Sequence, residues 1–379
     1  MTKIGRLGAV LLVLGAPATS AMGQAGYEHR VDSLMTTVTS TSTPGAGVLV
    51  VQDGHIALEK GYGLAVVATN TPIRGDTRFL LASVSKQFTA MAIMILAERA
   101  KLSYDDRLST FFPEFPRYAD SITVRHLLNH VAGFPEYEGL FMDLGKVNRD
   151  WPRSATTPRS AYEPTAHDAL ELLAEHARPH FRAGDRFEYS NSGYMILAQI
   201  VEKVSGQRYA RFLAENVFRP LGMNETAVYD ETRPAIPNRA SSYRPKSGGY
   251  EEIDYTPFNF IYGEDNVVTT LNDLSKWDQA LYGETLVHRA SLEQAFTPAK
   301  LTDGSESQYG FGWNLQPMFG VPVVGHTGSW MGFRTAIIRI PDKRTTVVVL
   351  SNRADFRAPL VAQSIARIYL EGRLPNRNQ

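Results

Sequence analysis

The sequence contains no cysteine, which removes disulfides, thiolate metal sites and cysteine nucleophiles together. It has no excess of charge of either sign, because 39 basic residues face 39 acidic ones. That balance gives no bulk attraction to nucleic acid or to an anionic membrane surface. Long apolar runs are scarce. The one extended run, residues 7–18, follows Lys3 and Arg6 and precedes the small residues of Ala21-Met22-Gly23. It is too short to span a bilayer comfortably and has the form of a secretory signal. Residues 1–23 are therefore expected to be a signal peptide, with the product secreted or periplasmic and without stable membrane insertion after cleavage. Internal repeats and low-complexity tracts are also missing. What is present is an ordinary globular chain of 379 residues, 43% hydrophobic, long enough for one large domain or two subdomains around a substantial core.

The local patterns organise that chain. Asp53-Gly54 separates the apolar runs 47–52 and 55–60 and is a strong two-residue hairpin signal. A second hairpin is expected from the β-branched runs 335–340 and 345–350 around Pro341-Asp342-Lys343-Arg344. Helical periodicity fills the middle, over residues 123–130, 167–176, 193–205, 209–218 and 271–282, and a helix-compatible stretch at 359–370 closes the chain. Strands at both ends with helices between them imply an α/β fold: a mostly antiparallel sheet built from both termini, flanked by helices, with an inserted all-helical region. The sheet part is placed at about 24–100 and 285–379 and the insert at about 101–284. Residues 138–164, rich in Pro, Arg, Ser and Thr, are expected to be a long loop or partial lid.

Three short motifs carry chemistry. In Ala82-Ser83-Val84-Ser85-Lys86 a hydroxyl and an amine stand three residues apart, so both project from one helical face. Serine becomes a nucleophile when a neighbouring base takes its proton, and a buried lysine is such a base. Apolar residues at Phe88, Met91, Ala92, Ile95 and Leu96 predict burial of the helix that follows, with Ser83 at its positive end, where free N–H groups favour a developing oxyanion. A helix cap with a solvated lysine is the plainer reading. Tyr189-Ser190-Asn191 precedes another helical run; a phenol there is a candidate general base and an amide a candidate for orienting a carbonyl. His326-Thr327-Gly328-Ser329 lies between two strand patterns. Its glycine allows close approach of a ligand, and the Ser329 N–H is a candidate partner for that of Ser83 in an oxyanion hole.

These elements, in this order, resemble the SxxK, YxN and HTG motifs of the penicillin-recognising serine hydrolases. The resemblance is to the class C β-lactamase-like group, which includes D,D-peptidases, esterases and D-aminopeptidases. It runs from about residue 47 to 352 through Gly61-Tyr62-Gly63, residues 127–135, Pro220-Leu221-Gly222-Met223 and Tyr309-Gly310-Phe311-Gly312-Trp313. It implies the β-lactamase/transpeptidase-like fold with a cleft between the sheet and the helical region. It also implies that Ser83 accepts the acyl group with Lys86 as proton partner. Tyr189 would be general base and then acid, and Asn191 would position Lys86 and the substrate, a small molecule or peptide. Residues 326–329 would line the substrate site. No cofactor or metal is implied.

Departures from the pattern narrow the substrate. His326 stands where many relatives carry lysine, and Val131-Ala132 replaces two hydroxyl residues. His126 and His130 are one helical turn apart, a spacing open to metal ligation, but no glutamate follows His126 as a metalloprotease pattern requires. Residues 263–266, Gly-Glu-Asp-Asn, are read either as a loop shaping substrate choice or as entry to the next helix, and Trp330 and Phe333 as an apolar wall or as core. The expected product is a serine hydrolase acting on an ester or amide. The alternatives are a D,D-peptidase or D-aminopeptidase acting on cell-wall peptides, and a secreted domain that binds without turnover. A neutral histidine attracts a carboxylate less than a lysine does. His326→Lys is therefore expected to shift relative rates toward carboxylate-bearing substrates when matched acid and ester pairs are compared; unchanged ratios contradict it.

Overall fold

The computed structural model describes residues 19–147, 162–232 and 236–374, so residues 1–18 of the expected signal segment 1–23 lie outside the described residues. The two hairpins join into one five-stranded antiparallel sheet. Its order is Val324–Trp330, Phe333–Ile340, Thr345–Ser351, Ala46–Gln52 and His55–Tyr62. Asp53 and Gly54 both take positive φ, 52° and 84°, which is what a turn matched to the twist of the flanking strands requires. The seam between the two ends of the chain is the pairing of Ala46–Gln52 with Thr345–Ser351, in which Val48 faces Val349.

Both faces of the central strands are buried, so their sequences are continuously apolar rather than alternating. The period of two still sorts the side chains. Leu49, Val51, Ile337, Val348 and Leu350 join the core shared with the Lys86–Glu98 helix. Val48, Val50, Ile338, Val347 and Val349 pack on the other face with Ile365 and Tyr369 of the closing helix Ala358–Tyr369. The helix Thr19–Thr36 lies on that same side through Val31 and Met35. There Asp32 accepts from Lys60 at 2.9 Å and from Tyr62 at 2.8 Å.

On the site-facing side, the Lys86–Glu98 helix packs against Asn191–Ser205, with Ala166–His176 and Tyr209–Leu213 around them. Two expectations change. Residues 138–164 are not all loop: Tyr137–Asp143 is a helix whose Phe141 is buried against Phe258, while residues 148–161 lie outside the described residues. The Leu271–Ala280 helix, within the span expected to be the insert, packs on the sheet instead. Leu271 fills the space that a Cβ on Gly47 would occupy, 3.1 Å away. Among the described residues no helix is long and apolar enough to cross a membrane.

That helix is fixed to the sheet by charge as well as by apolar contact. Asp278 accepts from Arg339 at 2.6 Å and from Thr346 at 2.7 Å, with both ionic side chains almost fully buried. The guanidinium also lies 4.7 Å from the Tyr282 ring centre. Removing one partner of such a pair leaves an uncompensated buried charge. Asp278→Ala is expected to cost about 3–5 kcal/mol in denaturant unfolding; a cost below about 1 kcal/mol, the value of an exposed pair, contradicts this reading.

Candidate active site

The segment leading into the first motif is pinned before it turns. Leu80 pairs with Val268, and the Leu81 N–H donates to the Val267 carbonyl at 2.8 Å. The Val267 N–H donates to Ser85 Oγ at 3.1 Å, and Thr335 Oγ1 donates to the Leu81 carbonyl at 2.7 Å. These bonds hold Ala82 at φ 50°, a left-handed conformation that costs a side-chain-bearing residue about 1–3 kcal/mol and persists only where its surroundings impose it. A 3-10 turn, Ala82–Ser85, then runs directly into the Lys86–Glu98 helix. Ser83 thus sits in a tight turn one step before the α-helix, where the first N–H groups have no partner within the helix. Between residues 79 and 96 only Ser83 is part-exposed; its neighbours are buried.

Gly328 explains how the third motif reaches this turn. A Cβ at 328 would lie 2.3 Å from the Leu81 carbonyl and 2.2 Å from Thr335 Oγ1. What the glycine admits is therefore the chain's own Leu81–Ala82 backbone rather than a ligand. The strand Val324–Trp330 is the sheet edge. Gly325 exchanges both backbone bonds with Asn314, on the side away from the sheet. By the two-residue period the N–H groups of Thr327 and Ser329 face out over that same edge.

Lys86 is the centre of the site. Its side chain is fully buried, and Nζ donates to Asn191 Oδ1 at 2.8 Å, to the Glu264 carbonyl at 3.0 Å and to Ser83 Oγ at 3.2 Å. An amide oxygen and a backbone carbonyl accept only, whereas a hydroxyl both accepts and donates. When Lys86 is a neutral amine, its two remaining protons are held by Asn191 and Glu264, and its lone pair faces the Ser83 hydroxyl. The Tyr189 ring centre lies 4.9 Å from Nζ. Among the described residues its buried hydroxyl has no hydrogen-bond partner.

Residues that the motifs did not single out hold these groups. Glu136 accepts from the Asn191 N–H with both oxygens at 2.9 Å and from the Ser192 N–H at 3.2 Å, a carboxylate on the positive end of the Asn191–Ser205 helix. Ser190 caps that helix through the Gly193 N–H. Glu138 Oε1 accepts from Asn191 Nδ2 at 3.3 Å, and Tyr137 donates to Glu264 Oε1 at 2.5 Å. Desolvation pushes the carboxyls of Glu136, Glu138, Glu264 and Asp265 up, Glu138 to about 8 with Glu136 and Glu264 adding to the rise. The loop 263–266 closes over Lys86 rather than forming the helix entry, which Thr270 caps. Gly263, at φ 111°, packs where a Cβ would meet the Tyr194 carbonyl at 2.5 Å.

His126 and His130, one helical turn apart in sequence, are held by different partners. His126 Nδ1 accepts from the Thr123 N–H within a capping box. His130 has left the helix at φ 58°, accepts the Ser190 N–H at 3.1 Å and packs tilted against the Tyr189 ring, with centres 4.2 Å apart. His326 is 3% exposed, and its Nδ1 lies 2.7 Å from the Thr327 carbonyl and its Nε2 2.8 Å from the Tyr309 hydroxyl. A carbonyl only accepts, so the proton is assigned to Nδ1, and Tyr309 donates to Nε2. Trp330 and Phe333 line a separate cavity of about 210 Å³ with Leu80, Arg239, Asp254 and Asn266. The apolar ring exposed beside Tyr189 is Phe187, 42% exposed.

A family model described as beta-lactamase matches residues 28–369. The chain belongs to the beta-lactamase family. It is 36% identical over 327 residues to a penicillin-binding protein of Bacillus subtilis (strain 168), an alignment covering 81% of this chain and 68% of that protein. It is 27% identical over 315 residues to a D-aminopeptidase of Brucella anthropi, covering 82% of this chain but only 56% of the relative's length. Among solved structures it is similar to an octameric penicillin-binding protein homologue from Pyrococcus abyssi, with TM-score 0.76, 27% identity, and 92% of this chain and 77% of that one covered. The sheet with flanking helices is thus the fold of this beta-lactamase-like serine hydrolase family. Tyr309, which holds His326, falls in the phrase 309–313 that carried part of the sequence resemblance. Glu136 and Glu138 had only one signal, two acids inside the apolar stretch Phe134-Pro135-Glu136-Tyr137-Glu138.

His326 carries a consequence for stability. Burial, with the Lys86 charge adding to it, lowers its pKa to about 3, against the Thr327 carbonyl bond that raises it. The unfolded chain, with histidine near 6.5, binds more protons between those values, so stability falls as pH drops from about 6.5 toward 3. Each pKa unit is worth about 1.4 kcal/mol, which makes the effect several kcal/mol. His326→Gln is expected to flatten the dependence of unfolding free energy on pH in that window; an unchanged slope contradicts the assignment.

Proposed function

We propose that the chain is an exported serine hydrolase that forms an acyl-enzyme on Ser83 and hydrolyses an ester or amide of modest size. The observation that carries this reading is the saturation of Lys86 Nζ by Asn191 Oδ1 and the Glu264 carbonyl, which leaves one position, and that position faces Ser83 Oγ at 3.2 Å. In the reaction, Ser83 Oγ bonds to the substrate carbonyl carbon as its proton passes to Lys86. The N–H groups of Ser83 and Ser329 receive the oxyanion. The bond from carbon to the leaving nitrogen or oxygen then breaks, Tyr189 protonates the leaving group and regains a proton from Lys86, and water later releases the acid from Ser83. The direct contact supports Lys86, rather than Tyr189, as the first proton acceptor.

The neutral, internally bonded His326 gives the cleft no cation of its own for a substrate carboxylate, which favours esters and amides over penicillin-like acids. The likeness to the D-aminopeptidase supports a second reading, an aminopeptidase acting on D-amino-acid peptides. A panel of short-chain esters, nitrocefin and D-amino-acid peptides separates the two. A fluorophosphonate probe is expected to add one adduct to the wild type and none to Ser83→Ala, with p-nitrophenyl acetate turnover lost in the same variant. A folded wild type that takes no adduct from the probe and turns over nothing in the panel would remove the proposal.

A further inference from the structure

The reaction as written leaves a buried group unused. Glu138 is buried in the Tyr137–Asp143 helix; its Oε1 accepts from Asn191 Nδ2 at 3.3 Å, and its Oε2 has no partner among the described residues. The other end of the same amide, Asn191 Oδ1, accepts from Lys86 at 2.8 Å. The Asn191 backbone is immobilised separately, by Glu136 on its N–H.

An asparagine amide is nearly symmetric in shape, so its orientation is decided by what each end faces. Lys86 demands an acceptor, and the flipped amide would set N–H groups against N–H groups there. Glu138 supplies the matching demand at the opposite end, because its Oε1 needs a donor. With Glu136 fixing the main chain, the two side-chain contacts leave one arrangement. Without Glu138 the amide loses one of the two constraints that keep its oxygen on Nζ, and with it the alignment of Lys86 on Ser83. We propose that Glu138 is a positioning residue for acylation, which fixes the Asn191 amide so that its oxygen anchors Lys86 against Ser83.

The charges around this point come from several elements. Lys86 comes from the nucleophile helix, Glu136 and Tyr137 from the segment beside Glu138, and Glu264 and Asp265 from the loop over the site. Burial raises the Glu138 carboxyl to about 8, so it is mostly neutral at pH 7. Its ionisation above that pH strengthens acceptance from Asn191 Nδ2.

The inference rests on the acyl-enzyme reading, and the test separates the two. Ester turnover is measured in the wild type, Glu138→Gln and Glu138→Leu, with fluorophosphonate labelling of each. Partners that orient a reacting group typically cost about 10- to 100-fold when removed. Glu138→Leu is expected to lose that much kcat with KM within about threefold. Glu138→Gln keeps an acceptor oxygen, so it is expected to stay within about threefold of the wild-type kcat at pH 7. Wild-type kcat in Glu138→Leu, or Glu138→Gln as impaired as Glu138→Leu, overturns the inference. If Glu138→Leu does not fold, the decision rests on Glu138→Gln, where a loss of more than about tenfold in kcat at pH 7 overturns it. Failure of the wild type itself to label or turn over would instead remove the acyl-enzyme reading.

Discussion

The buried amine of Lys86 is the constraint on which the rest depends. A lysine with no exposed surface is costly unless its protons are met, and here the three acceptors come from three distant parts of the chain: Ser83, Asn191 and the Glu264 carbonyl. Each must be brought by its own element. The strand Val267–Thr269 carries the 264 loop and also anchors Leu81 and Ser85. The Asn191–Ser205 helix brings the amide, its first turn gripped by Glu136. The sheet edge is locked to the Ser83 turn by Thr335 and by the missing side chain at 328. The need to satisfy the buried amine is therefore also what fixes the geometry of Ser83, Lys86 and Asn191.

Around this centre burial works against charge. Burial keeps His130 and His326 in their neutral forms, and it raises the four nearby carboxyls. The aromatic rings of Tyr189, Tyr194 and Tyr309 pack about His130 at 4.2, 4.9 and 4.6 Å, forming a stiff wall behind the Tyr189 hydroxyl. Such a site keeps water away from the amine while leaving Ser83 at its opening, the combination that electrostatic stabilisation of a developing oxyanion requires.

Much of this was legible in the sequence because it was local. The Asp53-Gly54 turn, the β-branched runs and the periodic helices follow from short-range rules, and the sheet built from both ends of the chain follows from their order. The first two motifs announced Ser83, Lys86, Tyr189 and Asn191 by residue type and spacing. What stayed hidden depended on contacts across the fold. Glu138 opens the stretch 138–164 that was read as a loop or lid, and Glu136 lies just before it; only tertiary packing makes residues 137–143 a helix and directs both acids to the Asn191 turn. The Leu271–Ala280 helix was assigned to the insert by its place in the chain, although Asp278 and Leu271 commit it to the sheet. Gly328 was read as a gap for a ligand because sequence cannot say that Leu81 fills it. His326 was read as a residue facing the substrate; its ring is occupied by Tyr309 and the Thr327 carbonyl, partners that spacing alone does not reveal.

The central claim is spatial: Lys86 is held from behind so that its free position meets Ser83 Oγ. A crystal structure of the protein trapped with an acyl group on Ser83 tests it most directly. The account requires Nζ to remain within hydrogen-bond distance of Asn191 Oδ1 and the Glu264 carbonyl while the acylated Ser83 oxygen stays beside it, with the acyl oxygen at the N–H groups of Ser83 and Ser329. A Lys86 side chain turned out of this pocket, or an acyl group carried on any other residue, would contradict it.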